Sequence, residues 1–428
     1  MICSVPPRRN TPRYLAYPKT ASFVLLPSQA CPPLTTPSQS RLDFVDWLRV
    51  ACAIVVFLFH VAHVFDIDPA GSVKNNETSM AWSVIAFFTY QWMMQAFFVL
   101  AGIGAGFSLR VRADGQYLKD RFHRLLVPCI GGTLILIPWN GYMSALNHGI
   151  FQGSFWSYLP THFQGISAAL KLPQNQYTPS ALFVISWHLW FLSYLFLFSA
   201  LTLPLFRYLE RAKDHGILRR AGAFTEKPWG LLAMGLPLGL IKLTLDARFP
   251  SHTDWSETLV WFALFIYGWI FAADGRFLQA IEKQRLSWLA AGCVCFAAMA
   301  LANEFGYLSR WLDHPDYTWD YELYQILATV NTWAWVLSVI GFGRRWLNFR
   351  NGILEYASEA ALPFYILHQP AVLTIGFLVV QLKLGIPAKS LIITFSAFVA
   401  TILLYEALVR RTNVMRALFG LRPRLPRP

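Results

Sequence analysis

Charged residues are scarce in this chain. Asp, Glu, Lys and Arg make up 14% of its 428 residues, and hydrophobic residues make up 55%. An average soluble domain carries roughly 25% charged residues. The mean hydropathy is +0.41. This composition excludes an ordinary soluble domain and predicts an all-α polytopic membrane protein.

The chain also lacks a disulfide framework, because its few cysteines lie in the N-terminal segment or inside apolar runs. They are Cys3, Cys31, Cys52, Cys129, Cys293 and Cys295. None has the spacing of metal ligands, so neither a disulfide scaffold nor a zinc site is expected. A Gly-rich phosphate loop and a serine nucleophile elbow are missing as well, which argues against a primary pump and against a hydrolase of that type.

Apolar segments long enough to span a bilayer recur ten times along the chain. The segment at 229–245 is the weakest, because Pro237, three Gly and Lys242 interrupt it. With the N-terminus in the cytoplasm, 29 of the 36 Lys and Arg residues fall on the cytoplasmic side. This bias predicts about ten transmembrane helices with both termini cytoplasmic. It also explains the formal net charge of +13 without a nucleic-acid partner. The ten segments run approximately 44–65, 81–108, 125–146, 180–206, 229–245, 257–273, 287–305, 321–343, 353–381 and 390–409.

The chain divides into three parts by composition. Residues 1–40 are rich in Pro, Ser and Thr and have no periodicity, which predicts a disordered cytoplasmic tail. Residues 41–410 hold the spanning segments, and residues 411–428 form a basic cytoplasmic C-terminal tail.

Ionisable groups interrupt the first apolar run. Arg49 and His60 are eleven residues apart, almost three helical turns, so both lie on one stripe about 16 Å apart along the axis. His63 follows His60 at i+3 and shares that face. Such groups are costly in hydrocarbon unless a partner or a polar cavity receives them, so this helix predicts a functional site. His60 lies in the outer half of the span and could take a proton from a hydroxyl group.

Each of these groups also has a structural interpretation. His60 could simply bond a neighbouring helix, and His63 lies near the outer interface, where histidine is tolerated. Arg49 could snorkel to the membrane surface or pair with Asp46 at i−3. A metal site of His60, His63 and Asp66 is not favoured, because side chains at i, i+3 and i+6 fan around a helix rather than converge.

Three later stretches carry further candidate groups. Arg121 and Arg124 share a helical face in a basic loop, which either sets the topology or binds the phosphates of a nucleotide-like donor. His188 lies near an outer helix end, where it could cap, anchor or react. His368 and Gln369 lie between two prolines inside a long apolar segment. Prolines free backbone groups and can open a helix, so these side chains are expected to line a cavity.

Several of these stretches together resemble the acyltransferase-3 superfamily of integral membrane acyltransferases, including its glucan-biosynthesis succinyltransferase branch. Arg49 to His60 is similar to the R-x10-H signature, and Phe97–Gly102 (FFVLAG) is similar to the FFxxSG motif. Tyr117–Pro128 resembles the basic loop of the family, and Tyr365–Pro370 resembles its late Y-x-x-H-Q motif.

Together with His188–Leu192, these motifs cover residues 41–410 in matching order. Ala101 stands where many members carry Ser, which removes a hydroxyl group, and the soluble hydrolase-like domain of some members is absent.

The resemblance implies a membrane O-acyltransferase. An acetyl or succinyl group would pass from cytoplasmic acyl-CoA, a co-substrate rather than a bound cofactor, to a hydroxyl of an extracytoplasmic glycan or related acceptor. His60 would be the catalytic histidine, as general base or transient acyl carrier, and Arg49 its partner. The bacterial inner membrane is the expected location. The side chains expected to meet the CoA phosphates are Arg49, Arg121 and Arg124, and those expected to meet the acceptor are His63, His188, Trp190, His368 and Gln369.

A transporter is the alternative function. A proton-coupled carrier could use His60 and His368 as relay groups, with a midplane site between pseudo-symmetric halves. No internal repeat is visible in the sequence, which weighs mildly against this class.

Overall fold

The computed structural model describes residues 42–172, 178–211, 216–227, 229–251, 253–307, 310 and 315–424. The tail predicted over residues 1–40 lies outside them. The described residues form helices and no strand, which confirms the all-α prediction.

The first half of the described chain carries the helices that position most of the candidate groups. They are α1 (Asp43–Ala62), α2 (Met80–Tyr90), α3 (Met93–Val111), α4 (Asp114–Arg121), a π turn (Phe122–Leu126), α5 (Val127–Asn147), α6 (Phe155–Leu170), α7 (Ser180–Ser186), a 3-10 turn (Trp187–Leu189), α8 (Trp190–Leu201) and α9 (Leu203–Arg211).

The second half contributes the remaining spans and the C-terminal segment. Its helices are α10 (Ile217–Thr225), α11 (Gly230–Leu245), α12 (Trp255–Ala273), α13 (Gly275–Lys283), α14 (Arg285–Glu304), α15 (Trp319–Trp346), α16 (Gly352–Val380), α17 (Ile386–Leu404), a π turn (Tyr405–Val409) and α18 (Asn413–Leu418).

The number of candidate membrane spans agrees with the prediction. Among the described residues, nine helical stretches are long and apolar enough to cross a bilayer. A bent pair, Leu218–Thr225 with Gly230–Leu245, is the candidate for a tenth. We call the end of the bundle at which α1 begins the basic face, and the opposite end the far face.

Close glycine contacts join α3 to α12. A Cβ on Gly102 would collide with the Phe265 carbonyl, and a Cβ on Gly268 would collide with the Val99 carbonyl. In a bilayer the hydrophobic effect does not drive helices together, so their association depends on close packing, and small residues let two helix backbones approach each other. The FFVLAG motif therefore ends on a glycine that helix packing requires.

The weakest predicted span is a helix whose lysine is fully paired. α11 runs through Pro237 without ending, and Lys242 Nζ lies 2.6 Å from both Asp246 Oδ1 and Glu257 Oε1. Tyr321 OH donates a 2.6 Å hydrogen bond to the other carboxylate oxygen of Asp246. A partly buried cation with two carboxylate partners avoids the cost of an isolated charge.

Candidate active site

Three histidines from three separate segments lie together. His60 comes from the last turn of α1, His368 from the middle of α16, and His188 from the 3-10 turn between α7 and α8. The ring centroid of His368 lies 5.2 Å from that of His60 and 6.0 Å from that of His188. His188 and His368 are 6% and 1% exposed, whereas His60 is partly exposed. His60 is therefore the least buried of the three imidazoles.

A break in the helix places His188 beside α16. Trp187 has a φ of 42°, and no other non-glycine residue in the described part of the chain has a positive φ. Such a conformation costs about 1–3 kcal/mol and persists only where its surroundings hold it. Tyr365 OH donates a 2.5 Å hydrogen bond to the His188 carbonyl, which holds the break against α16. The predicted span at 180–206 is therefore not one continuous helix.

Pro370 leaves unpaired the backbone carbonyl that accepts a hydrogen bond from His188. Proline has no N–H, so the Ile366 carbonyl four residues earlier lacks its helical partner. His188 Nε2 donates to that carbonyl at 3.3 Å, and His188 Nδ1 accepts from Asn140 Nδ2 at 3.1 Å. Because a carbonyl can only accept, these contacts assign the proton of neutral His188 to Nε2. α16 continues through Pro363 and Pro370, so the prolines free carbonyls without opening the helix.

His368 presents an unused nitrogen. Its Nδ1 donates a 2.6 Å hydrogen bond to the Tyr365 carbonyl, which leaves the lone pair of the neutral ring on Nε2. Among the described residues, His368 Nε2 and the Oε1 of neighbouring Gln369 are buried without a hydrogen-bond partner. A buried acceptor without a donor costs about 1–3 kcal/mol. Both atoms are therefore suited to a ligand that donates hydrogen bonds.

Asn140 is a site residue that the sequence analysis missed. It is 2% exposed on α5, and it holds His188 through its Nδ2 while its Oδ1 finds no partner in the described part of the chain. The available signal was an amide directly after Pro138 and Trp139 in an otherwise apolar run.

Arg49 is held by hydrogen bonds to its own helix and to the neighbouring helix α3. Its Nη2 donates to the Leu100 carbonyl of α3 at 2.9 Å, and its Nη1 donates to Asp46 Oδ1 at 3.2 Å. The pairing with Asp46 is the one that the i−3 spacing suggested. A Cβ on Gly104 would collide with Nη2 of Arg49, so this glycine makes room for the guanidinium.

The basic loop joins Arg49 at the basic face. Arg121 ends α4, and Arg124 lies in the π turn that follows. The positive charges of Arg121, Arg49, Arg422 and Arg112 all act on the Arg124 guanidinium. The three arginines that are expected to meet the donor phosphates, Arg49, Arg121 and Arg124, therefore lie in one group of positive charges. Arg112 and Arg422 belong to the same group.

His63 belongs to a separate polar cluster at the far end of α1. Its Nδ1 lies 2.7 Å from Asp66 Oδ2, and Lys74 Nζ lies 2.5 Å from Asp66 Oδ1. Burial raises the pKa of the Asp66 carboxyl, but hydrogen bonds and charge from His63 and Lys74 outweigh it and hold that pKa below its ordinary value. His63 therefore has a structural partner, although it remains partly exposed.

Trp190 packs among aromatic side chains. Its ring lies 4.5 Å from that of Trp261 and 5.7 Å from that of Tyr194. None of the ring contacts found in the described chain joins it to the three histidines. In those same residues, no three His, Cys, Asp or Glu side chains are arranged to hold a metal ion.

Comparison with known proteins places this chain in a family. The acyltransferase 3 family model, described as an acyltransferase domain, matches residues 42–406. The chain belongs to this acyltransferase family. It is accordingly a membrane acyltransferase, and the resemblance read from its motifs is confirmed.

Relatives of this acyltransferase include proteins named for glucan biosynthesis. It is 23% identical to glucans biosynthesis protein C of Escherichia coli strain K12 over 349 residues, which cover 79% of this chain and 84% of the relative. It is 22% identical to the protein of that name from Salmonella schwarzengrund over 348 residues, covering 78% and 83%. No solved structure matches the chain.

Proposed function

We propose that this acyltransferase moves an acetyl or succinyl group from acyl-CoA to a hydroxyl of a glycan or related acceptor. In this proposal the basic face is cytoplasmic, the acceptor arrives from the far face, and the membrane is a bacterial inner membrane. The name of the glucan-biosynthesis relatives supports a glycan acceptor.

The partly exposed His60 carries the proposal. It is the least buried member of a group of three imidazoles, and its neighbour His368 has a buried Nε2 with no hydrogen-bond partner among the described residues. His368 Nε2 would accept the N–H of His60 and orient its ring. The remaining nitrogen of His60 would then be free to act as a general base.

The proposed reaction needs one proton shuttle. His60 takes the proton of the acceptor hydroxyl while its oxygen attacks the thioester carbonyl of the donor. The tetrahedral intermediate then collapses, the C–S bond breaks, and the imidazolium returns the proton to the CoA thiolate. The products are the ester and free CoA, so no further reactant is required. A reaction through a transient acyl-histidine would also balance, but the acyl group would then have to be transferred twice, first to His60 and then to the acceptor.

The arginines at the basic face would receive the donor. Arg49, Arg121 and Arg124 offer charge-assisted hydrogen bonds to the CoA phosphates. The arm of CoA between phosphates and thioester would then cover the distance from Arg49 to His60, about 16 Å along α1.

Donor turnover by the purified full chain in detergent tests the proposal. Acetyl-CoA and succinyl-CoA are supplied separately with a periplasmic glucan fraction, and both free CoA and acylated glucan are quantified. We expect the two products in equal amounts with one of the donors.

Two results would contradict the proposal. Transport of a solute by the chain in vesicles, with both acyl-CoA donors left intact, would favour the proton-coupled carrier. Release of CoA without acylated glucan, at a rate that added glucan does not change, would exclude a glycan acceptor.

A further inference from the structure

The C-terminal segment folds back onto the basic face. α18 begins four residues after the last π turn, and Arg416 within it is only 6% exposed. Arg416 Nη1 donates to Glu359 Oε1 of α16 at 3.0 Å, and its Nε donates to the Arg422 carbonyl at 2.7 Å. This buried arginine therefore fixes the backbone that carries Arg422.

Gly420 brings the same segment against the basic loop. Its φ of +71° lies in the left-handed region that favours glycine. A Cβ at this position would lie 2.7 Å from the Arg124 carbonyl and 2.8 Å from Leu362 Cδ2. The chain can therefore pass this close to Arg124 only with glycine at residue 420.

Arg422 ends up beside other arginines with its own side chain exposed. Its charge acts on Arg124, together with those of Arg121, Arg49 and Arg112. In the described chain, no carboxylate forms an ion pair with Arg121, Arg124 or Arg422, whereas Arg112 is paired with an aspartate. Like charges gathered in this way repel one another unless an anion lies among them.

We propose that Arg422 is a phosphate-binding residue of the donor site. It supplies a guanidinium from the C-terminal segment to a site otherwise built by α1 and the basic loop, and it thereby selects donors with a phosphorylated head. This inference rests on the proposed function, because that function makes acyl-CoA the donor. Bidentate contacts between guanidinium and phosphate are the chemistry that this placement allows.

Equilibrium binding of free CoA and of pantetheine, which lacks the phosphates, tests the inference without any turnover. The measurement compares the full-length wild type, Arg422→Ala and Arg424→Ala in detergent. Arg424 is a matched control because it is exposed, lies two residues away and is not among the charges that act on Arg124. We expect Arg422→Ala to weaken CoA binding about tenfold or more, the size of one lost charge-assisted contact. Pantetheine binding and the Arg424→Ala variant should match the wild type.

The outcomes separate this inference from the proposed function. If CoA binds Arg422→Ala as tightly as the wild type, Arg422 does not hold the donor, and the inference is wrong even if the enzyme turns over acyl-CoA. A second measurement compares the activities of the wild type and Arg422→Ala in vesicles with and without phosphatidylglycerol. If Arg422→Ala loses activity only in vesicles that contain this lipid, Arg422 holds a lipid phosphate, and the inference is wrong. If CoA binds as expected but no acyl group is transferred, the inference stands and the proposed function fails. If wild-type protein binds no CoA, both fail.

Discussion

Replacing Gly104 with Ala should displace the guanidinium of Arg49 without changing Arg49 or His60. The added Cβ would collide with Arg49 Nη2, which is the mobile end of a flexible side chain. The guanidinium can therefore move while the backbones of α1 and α3 stay in place. Its movement would break the 2.9 Å hydrogen bond to the Leu100 carbonyl.

The expected effect falls on donor binding rather than on folding. A hydrogen bond from a charged group contributes about 1.5–3 kcal/mol. If that loss appears in donor binding, the KM for acyl-CoA rises about tenfold or more. Gly→Ala inside a helix gains about 0.5–1 kcal/mol, which offsets part of the strain. We therefore expect a melting temperature within a few degrees of the wild type.

Steady-state kinetics and thermal melting of Gly104→Ala check this reasoning, with two other Gly→Ala variants for comparison. At Gly131 a Cβ would meet only Leu418 Cδ2 at an ordinary 3.7 Å, so Gly131→Ala should keep both KM and melting temperature. At Gly268 it would meet the backbone carbonyl of Val99, so Gly268→Ala should lose stability. A normal KM for acyl-CoA in folded Gly104→Ala would refute the claim that the seating of Arg49 on α3 matters to donor binding.

Two further predictions concern the far half of the bundle. Tyr365→Phe removes the hydrogen bond to the His188 carbonyl and should cost about 1–3 kcal/mol of stability together with most of the activity. The Tyr194 hydroxyl donates to the backbone carbonyls of Pro179 and Thr253. Tyr194→Phe should therefore lower stability but retain the rate of acyl transfer. Equal rates in the two variants, measured at a temperature where both are folded, would count against a role for the break at His188. Asp66→Asn should lower the melting temperature at neutral pH. Because the folded-state pKa of Asp66 is depressed, its contribution is present above about pH 4 and disappears as the pH falls through the folded value. The difference in melting temperature between the wild type and Asp66→Asn should therefore shrink on acidification, and a constant difference would contradict this account.

The spans and the Arg49–His60 stripe could be predicted from the sequence because both depend on local pattern. Hydropathy alone locates the apolar helices, and helical periodicity alone aligns residues eleven apart. The weak span at 229–245 could not be judged in this way, because the carboxylate of Glu257 that pairs with Lys242 comes from a different helix.

The three-histidine group could not be predicted from local pattern, because it joins residues far apart in the chain. The positions of His188 and His368 relative to His60 depend on how α1, α8 and α16 pack. The break at Trp187 also gave no local signal, because the positive φ is held by tertiary contacts such as the Tyr365 hydrogen bond. The family resemblance named His60 and His368 as candidates without giving the geometry that brings them together with His188.

The partial failure of the proline argument has a cause in the tertiary structure. Two prolines in α16 were expected to be able to open the helix, yet the helix continues through both. The carbonyl of Ile366 that Pro370 leaves unpaired receives His188 Nε2 from another segment. Sequence shows that a carbonyl is freed, but only the fold shows what satisfies it.

The most direct test of the central claim is the turnover rate of His60→Ala at saturating acyl-CoA and acceptor. General base catalysis contributes about 10²–10⁴-fold, so we expect kcat to fall at least about a hundredfold at an unchanged melting temperature. His148→Ala, a change at an exposed histidine after α5, should retain the wild-type rate. A folded His60→Ala protein that turns over acyl-CoA at the wild-type rate would contradict the account.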